Sequence, residues 1–315
     1  MPDLLRLDAL SEAQRAAVQA LAARTRAGDG VAPLSEQFLL DLTPGSGAEH
    51  LLGYAGAHLV GYAQVGRDPG HGQPRGGELV VGPAYRRRGL GTALVAGMPP
   101  GLQLWAHGDL PAARAFAAAR GLRSVRELHL MRLPLANAPA EPLAVPAGFE
   151  VRSFRPGIDE PAWLAVNTVA FATHPEQGRL TLADLHERMA QPWFDPAGLL
   201  LLVPHEPVDG VPLAGFHWTK IAGPEDSAAF AEPSAGRVGE VYVVAVHPAY
   251  QGRGLGPLVT RLGLAHLRDR GCAEALLYVD GDNAAALATY RALGFATRHV
   301  DRMLALPLTS PKVGR

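Results

Sequence analysis

The sequence predicts an α/β protein of two tandem domains, each a mixed-sheet unit of strands and helices. Three observations carry this. Residues 83–91, Pro-Ala-Tyr-Arg-Arg-Arg-Gly-Leu-Gly, return at 248–256 as Pro-Ala-Tyr-Gln-Gly-Arg-Gly-Leu-Gly. The offset, 248 − 83 = 165 residues, is about one small domain. Each copy follows a β-branched run and precedes an apolar, helix-like stretch: Leu79, Val80 and Val81 before the first copy, Val243 to Val246 before the second. Between the copies, residues 134–148 are rich in Pro and Ala and lack any period, as a linker does. The division falls into 1–137, a linker over 138–148, and 149–315.

The elements follow in order. Ser11-Glu12-Ala13-Gln14 is a capping box, opening a helix. Val18, Leu21 and Ala22 keep helical spacing, and Gly28-Asp29-Gly30 ends the run. Phe38, Leu39 and Leu42 predict a further short helix, and Leu51 to Val65, broken at Gly53 and Gly61, a hairpin. The strand–turn–helix unit over 78–97 comes next. A strand at Leu102 to Ala106 and an Ala-rich helix from Pro111 to Arg120, ended by Gly121, close the first half. After the linker, Glu150 to Arg152 opens a strand and Pro161 to Val169 a helix. Leu199 to Val203 and Leu213 to Lys220 form a strand pair. Glu240 to Val246 leads into the second glycine turn. Ala275 to Val279 is a strand, Asn283 to Leu293 a helix, and Asp301 to Leu306 the last strand.

The chain has 315 residues, enough for two cores, with a formal charge of −1. That balance lacks the basic field expected of a nucleic-acid or anionic-membrane binder. No uncharged apolar run approaches transmembrane length, and the amino terminus does not resemble a signal peptide. A cytoplasmic, monomeric protein is the expectation. A single cysteine, Cys272, excludes an internal disulfide and reads as a packing residue. His107, His174, His217 and His247 show no metal spacing, so no metal is expected.

Strand, glycine turn and helix start together make an anion site: glycines allow close backbone approach, and free N–H groups point at the ligand. A P-loop would place Lys-Ser/Thr after the last glycine, but Thr92-Ala93 and Pro257-Leu258 follow instead. The shared pattern is Arg/Gln-x-x-Gly-x-Gly, at Arg86, Gly89 and Gly91 and at Gln251, Gly254 and Gly256. Both halves thereby resemble the GCN5-related N-acetyltransferase (GNAT) family. The second half also carries that family's later elements, Asn283, then Tyr290 and Gly294-Phe295.

The resemblance implies acetyl-CoA as co-substrate. In the first half it assigns cofactor contacts to Leu79, Val80, Val81, Arg87, Arg88, Gly89, Leu90, Gly91 and Thr92. In the second it assigns them to Val244, Ala245, Val246, Gln251, Gly252, Arg253, Gly254, Leu255, Gly256 and Pro257, and to Asn283, Ala284, Ala285, Ala286, Leu287 and Ala288. The family's strand is bulged, which the resemblance puts at Val244 to Val246, where backbone N–H groups would hold an oxyanion. Glu240 is implied as general base and Tyr290 as general acid.

The chain as a whole resembles a tandem branch of that family that acetylates the amine of cysteinyl-glucosaminyl-inositol, giving mycothiol and CoA. The resemblance rests on Asp29 to Pro33 with Glu36, Trp105-Ala106-His107-Gly108, His174 to Gly178, Trp193 to Pro196, Gly215 to Lys220 and Gly239 to Val243. It implies Glu36, Glu176, Lys220, Glu240 and Tyr278 as acceptor ligands. Another amine, such as a peptide N-terminus or an aminoglycoside, and a non-enzymatic acyl-CoA sensor are the alternatives. The halves are unequal. At an offset of 165, Arg75 stands where the second half has Glu240, and at 173, Leu110 and Ala117 stand for Asn283 and Tyr290. Catalysis is therefore expected in the second half, while the first keeps only the means to hold a CoA by its backbone.

Overall fold

The computed structural model describes residues 3–68, 70, 74–138, 144–172, 177–221 and 236–305. The first half supplies strands β1 (Asp3–Leu7), β2 (Glu49–Ala55), β3 (His58–Val65), β4 (Gly76–Val81), β5 (Gln103–Ala106) and β6 (Arg123–Pro134). The second supplies β7 (Phe149–Ser153), β8 (Leu199–Pro204), β9 (Gly215–Ile221), β10 (Arg237–Val246), β11 (Cys272–Asp280) and β12 (Ala296–Ala305). All belong to one sheet, in the order β1-β2-β3-β4-β5-β12-β6-β11-β10-β9-β8-β7. Within each half the strands are mostly antiparallel, but β4 runs parallel to β5 and β10 parallel to β11.

The middle of that order ties the halves together. β12 lies between β5 and β6, and β6 lies between β12 and β11. Each half thus seats its last strand among strands of the other. The ladder β6–β12 runs from Arg132 opposite Ala296 to Arg123 opposite Ala305. No local sequence signal encodes this exchange, because ladder bonds are made by backbone groups that every strand carries.

Helices cover both faces. α1 (Glu12–Asp29) starts at the predicted capping box: Ser11 Oγ accepts the Gln14 N–H at 3.2 Å, and Gln14 Oε1 accepts the Ser11 N–H at 2.9 Å. It buries Val18 and Leu21 with Leu52, Tyr62 and Val80. α2 (Glu36–Leu40) is a single short turn. On the opposite face α3 (Leu90–Ala96) buries Leu90 and Leu94 with Leu51, Val60 and Ala63. α4 (Pro111–Arg120) begins at a proline and ends at Gly121, as predicted. In the second half α5 (Glu160–Ala170) and α6 (Leu182–Met189) pack Trp163, Val166 and Leu185 against Phe216 and Trp218. α7 (Leu255–Asp269) and α8 (Ala284–Ala292) cover the other face, with Leu264, Leu267 and Leu287 against Val241, Ala275 and Leu277. Cys272 lies buried in that same core, and burial pushes its thiol pKa up.

Candidate active site

The site is built where two parallel strands part. β10 and β11 pair from Arg237 to Val241, and beyond Val241 their described ladder ends. β10 continues alone beside β9 to Val246. His247 donates its N–H to Ala214 O at 2.9 Å, toward the β9 side. Strand residues alternate, so Ala245 also faces β9, while Val244 and Val246 turn their N–H and C=O groups into the gap. Gln251 reaches back into that gap, its Nε2 donating to Val246 O at 3.2 Å. The first half repeats the arrangement: β4 and β5 pair only at Gly76 and Gly77, and Arg86 Nε donates to Val81 O at 3.0 Å. This explains why the first motif position is Gln or Arg: either can span a turn and donate to a strand carbonyl.

The turn then requires left-handed backbone twice. Gly252 and Gly254 have φ of 75° and 73°, and Gly254 is the N-cap of α7. A residue with Cβ would pay about 1–2 kcal/mol at each. In the first copy Gly89 takes φ 83° as N-cap of α3, and Arg87, with φ 62°, occupies the position of Gly252. Among the described residues nothing lies within 4 Å of where a Cβ on Gly256 would be. Leu90, Leu255, Val80 and Leu287 point into the core, so only their backbones can meet a ligand. Ala284, Ala285 and Ala288 are exposed along α8. Asn283 spends its side chain as the cap of α8, Oδ1 accepting the Ala286 N–H at 3.1 Å.

The bulge in β10 corrects one expectation. It falls between Val241 and Val243, not at Val244 to Val246. Val244, Ala245 and Val246 keep unbroken register with His217, Phe216 and Gly215. β4 has no such shift against β3. The extra residue also moves the correspondence of the halves by one. Glu240 faces Lys220 on β9, and its structural counterpart is Gly76, whose carbonyl accepts the Gly66 N–H, rather than Arg75. The conclusion that the first half lacks this carboxylate is unchanged.

Glu240 stands one residue before the point of separation. Burial raises its pKa to about 7; Lys220 opposes that shift and Glu36 adds to it. Lys220 Nζ forms an ion pair with Glu36 of α2 at 2.5 Å, and lies 4.7 Å from the Trp193 ring centroid and 5.3 Å from that of Tyr242. A cation held between aromatic faces and a carboxylate has a fixed direction. Residues from both halves therefore meet at Glu240. Tyr278, on β11 beyond the separation, is 41% exposed. Tyr290 on α8 packs edge-on to Phe295, ring centroids 5.8 Å apart, and burial pushes its phenol up to about 12. Glu176 and His174 lie outside the described residues.

The remaining histidines resolve into structure. His217 is buried and its Nδ1 is 2.8 Å from Val259 O, a donor to a carbonyl; burial lowers its pKa to about 4. His247 caps the turn after β10, its Nδ1 accepting the Ala249 N–H at 3.2 Å. Among the described residues no cluster suits a metal ion, and no helix is long and apolar enough to cross a membrane. Sequence reasoning missed Trp193, Tyr242 and Arg188 as parts of the site. Trp193 and Tyr242 lie in runs that carry the resemblance, but an aromatic residue has no role until its neighbours are known; Arg188 lies in none of those runs and had no signal.

A strand freed from its parallel neighbour, a two-glycine turn and a helix start, present twice, define a tandem acetyltransferase fold. The Acetyltransferase (GNAT) family profile matches residues 17–98 and 164–295. Among solved structures, a GCN5-related N-acetyltransferase from Sphaerobacter thermophilus shares the fold with a TM-score of 0.66 at 23% identity, over 96% of each chain. A tandem GNAT protein from the clavulanic acid biosynthesis pathway does so at 0.69 and 19%, over 96% of this chain and 97% of that one. Proteins named mycothiol acetyltransferase are more similar in sequence. That of Thermobispora bispora is 48% identical over 91% of this chain and 94% of its own. That of Streptomyces avermitilis is 48% identical over 94% and 93%, and that of Catenulispora acidiphila 45% over 94% and 96%. The chain belongs to the GNAT family and, within it, to the mycothiol acetyltransferases.

Proposed function

We propose that the chain transfers the acetyl group of acetyl-CoA directly to the cysteinyl amine of cysteinyl-glucosaminyl-inositol, releasing mycothiol and CoA. The catalytic domain is residues 149–315, and residues 1–137 form a degenerate domain that lends Glu36 to the acceptor pocket. The observation that carries this reading is Glu240: a desolvated carboxylate beside the strand separation, facing a lysine held by the other half.

Acetyl-CoA supplies the activated acetyl thioester. The free amides at the start of α7, after Gly252 and Gly254, suit its pyrophosphate, and the outward groups of Val244 and Val246 suit an amide-bearing arm. Glu240 takes the proton from the attacking amine. An α-amino group has a pKa of about 7.7–8.0, so roughly a tenth is neutral at pH 7 and a base near 7 is matched to its task. The Val244 N–H, aimed into the gap, donates to the oxyanion. Tyr290 serves the departing sulfur. Full proton transfer from a phenol near 12 to a thiol near 8.5 is uphill by about 5 kcal/mol. Tyr290 therefore acts as a hydrogen-bond donor to the leaving thiolate, and solvent completes protonation. Glu36, Lys220, Tyr278 and, beyond the described residues, Glu176 bind the acceptor; carboxylates accept several bonds from hydroxyls and ammonium.

The test is CoA release, followed with a thiol reagent, with cysteinyl-glucosaminyl-inositol, a peptide and an aminoglycoside offered separately. Fast release with the first supports the reading. Release only with a peptide or aminoglycoside overturns the acceptor assignment, and none with any amine overturns the transfer itself.

A further inference from the structure

A buried cluster of charge is built from both halves, on β4, β12 and the turn after β5. Glu78 on β4 is fully buried and Asp301 on β12 is 4% exposed. His107, in the turn after β5, stands between them. Its Nε2 is 3.0 Å from Glu78 Oε1 and its Nδ1 2.9 Å from Asp301 Oδ2. With each ring nitrogen donating to a carboxylate, the ring is an imidazolium. Burial opposes that cation, but Glu78 and Asp301 overcome it and raise its pKa to about 10. The other carboxylate oxygens are also used: Asp301 Oδ1 accepts the Gly108 N–H at 2.7 Å, and Glu78 Oε2 accepts the Ser35 N–H at 2.8 Å.

That last bond leads to the acetyl-transfer site. Ser35 is the N-cap of α2, and its side chain makes no capping bond. A helix of a single turn cannot hold its own orientation. Yet the next residues must reach the other half: Glu36 pairs with Lys220, and Gln37 Oε1 accepts from Arg188 Nη2 at 2.9 Å. Arg188 Nε in turn donates to Tyr242 Oη at 3.1 Å. Burying three charges is costly, and apolar packing could join β4, β5 and β12 as well. What an apolar layer could not supply is a directional acceptor for the Ser35 amide.

We infer that Glu78, His107 and Asp301 are positioning residues for the acceptor: they fix the N-cap of α2 so that Glu36 meets Lys220 at the pocket of the other half. Among the described residues, none of the three forms a hydrogen bond or ion pair with Glu240, Lys220 or Tyr290. The inference rests on the proposed role of Glu36 as an acceptor ligand.

The experiment is steady-state kinetics on the full chain with acetyl-CoA and cysteinyl-glucosaminyl-inositol. Glu36→Gln should raise the acceptor KM about tenfold. Glu78→Leu, which leaves no acceptor for the Ser35 N–H, should raise it five- to tenfold, with kcat and the acetyl-CoA KM within twofold. The double variant should match Glu36→Gln alone within twofold, because Glu78 acts through Glu36. Ser35→Pro removes the same N–H at a φ of −73°, which proline adopts, and should copy Glu78→Leu even if that variant folds poorly. Ser35→Ala should be silent. Multiplying effects in the double variant, or an acetyl-CoA KM that moves as far as the acceptor KM, would overturn the inference while leaving Glu36 in place. An unchanged acceptor KM in Glu36→Gln would instead overturn the acceptor role of Glu36, and this inference with it.

Discussion

The two glycine turns have the same backbone and different surroundings. Both start beside a strand that has left its parallel neighbour, and both place a left-handed glycine at a helix N-cap. The second turn opens α7, from Leu255 to Asp269, and leaves the space over Gly256 free of described residues. The first opens the much shorter α3, and a Cβ on Gly91 would lie 3.5 Å from the Phe116 ring. β10 is bulged and carries Glu240, whereas β4 is regular and its one carboxylate, Glu78, is committed to His107 and Ser35. The repeated turn is built from amides and depends little on side chains. The acid–base chemistry proposed above depends on side chains, and Glu240 and Tyr290 belong to the second copy.

Breaking the second copy should have the largest effect. Glu240→Gln is expected to lower kcat/KM for the acceptor by roughly 10²–10⁴-fold with acetyl-CoA affinity preserved, measured by CoA release and calorimetry. Tyr290→Phe should lower kcat less, about 10- to 100-fold, since one hydrogen bond to the leaving sulfur is lost. The turns themselves sharpen the contrast. Gly254→Ala should raise the acetyl-CoA KM about tenfold, whereas Gly89→Ala, strained by the same left-handed φ, should leave turnover within about twofold and lower only the melting temperature.

The smallest expected effect is on pH dependence. As Glu240 loses its proton, kcat/KM should rise through about pH 7, and Glu240→Gln should erase that limb, leaving the limb of the amine nearer 8. Its pKa is raised by folding, so the folded chain holds the proton more tightly than the unfolded one. The associated stability is complete below the unfolded value near 4.3 and is lost as pH rises to about 7. Glu240→Gln should therefore melt a few degrees above the parent at pH 8, with the gap closing toward pH 4.

Local elements were legible because their causes are local. The capping box at Ser11, Pro111 and Gly121 bounding α4, and the turn glycines each act within one helical turn of themselves. Glu240, Lys220 and Glu36 could be nominated from the runs around them, but not their meeting. Lys220 and Glu36 are 184 residues apart, and Ser35, at the start of α2, donates its N–H to Glu78 on β4. The bulge at Tyr242 was misplaced for a related reason: register is a property of a strand pair, and one strand read alone does not contain it.

By itself the sequence determined the repeated strand–turn–helix units and, through its motifs, their family, and it showed that Glu240 and Tyr290 occur in the second half without counterparts in the first. Tertiary structure alone decided that β6 and β12 are seated across the halves and that a first-half carboxylate faces a second-half lysine. It also decided that His107 bridges two buried carboxylates. The reason is physical: backbone ladders and buried ion pairs take their partners from distance in space, and chain order constrains that distance only weakly.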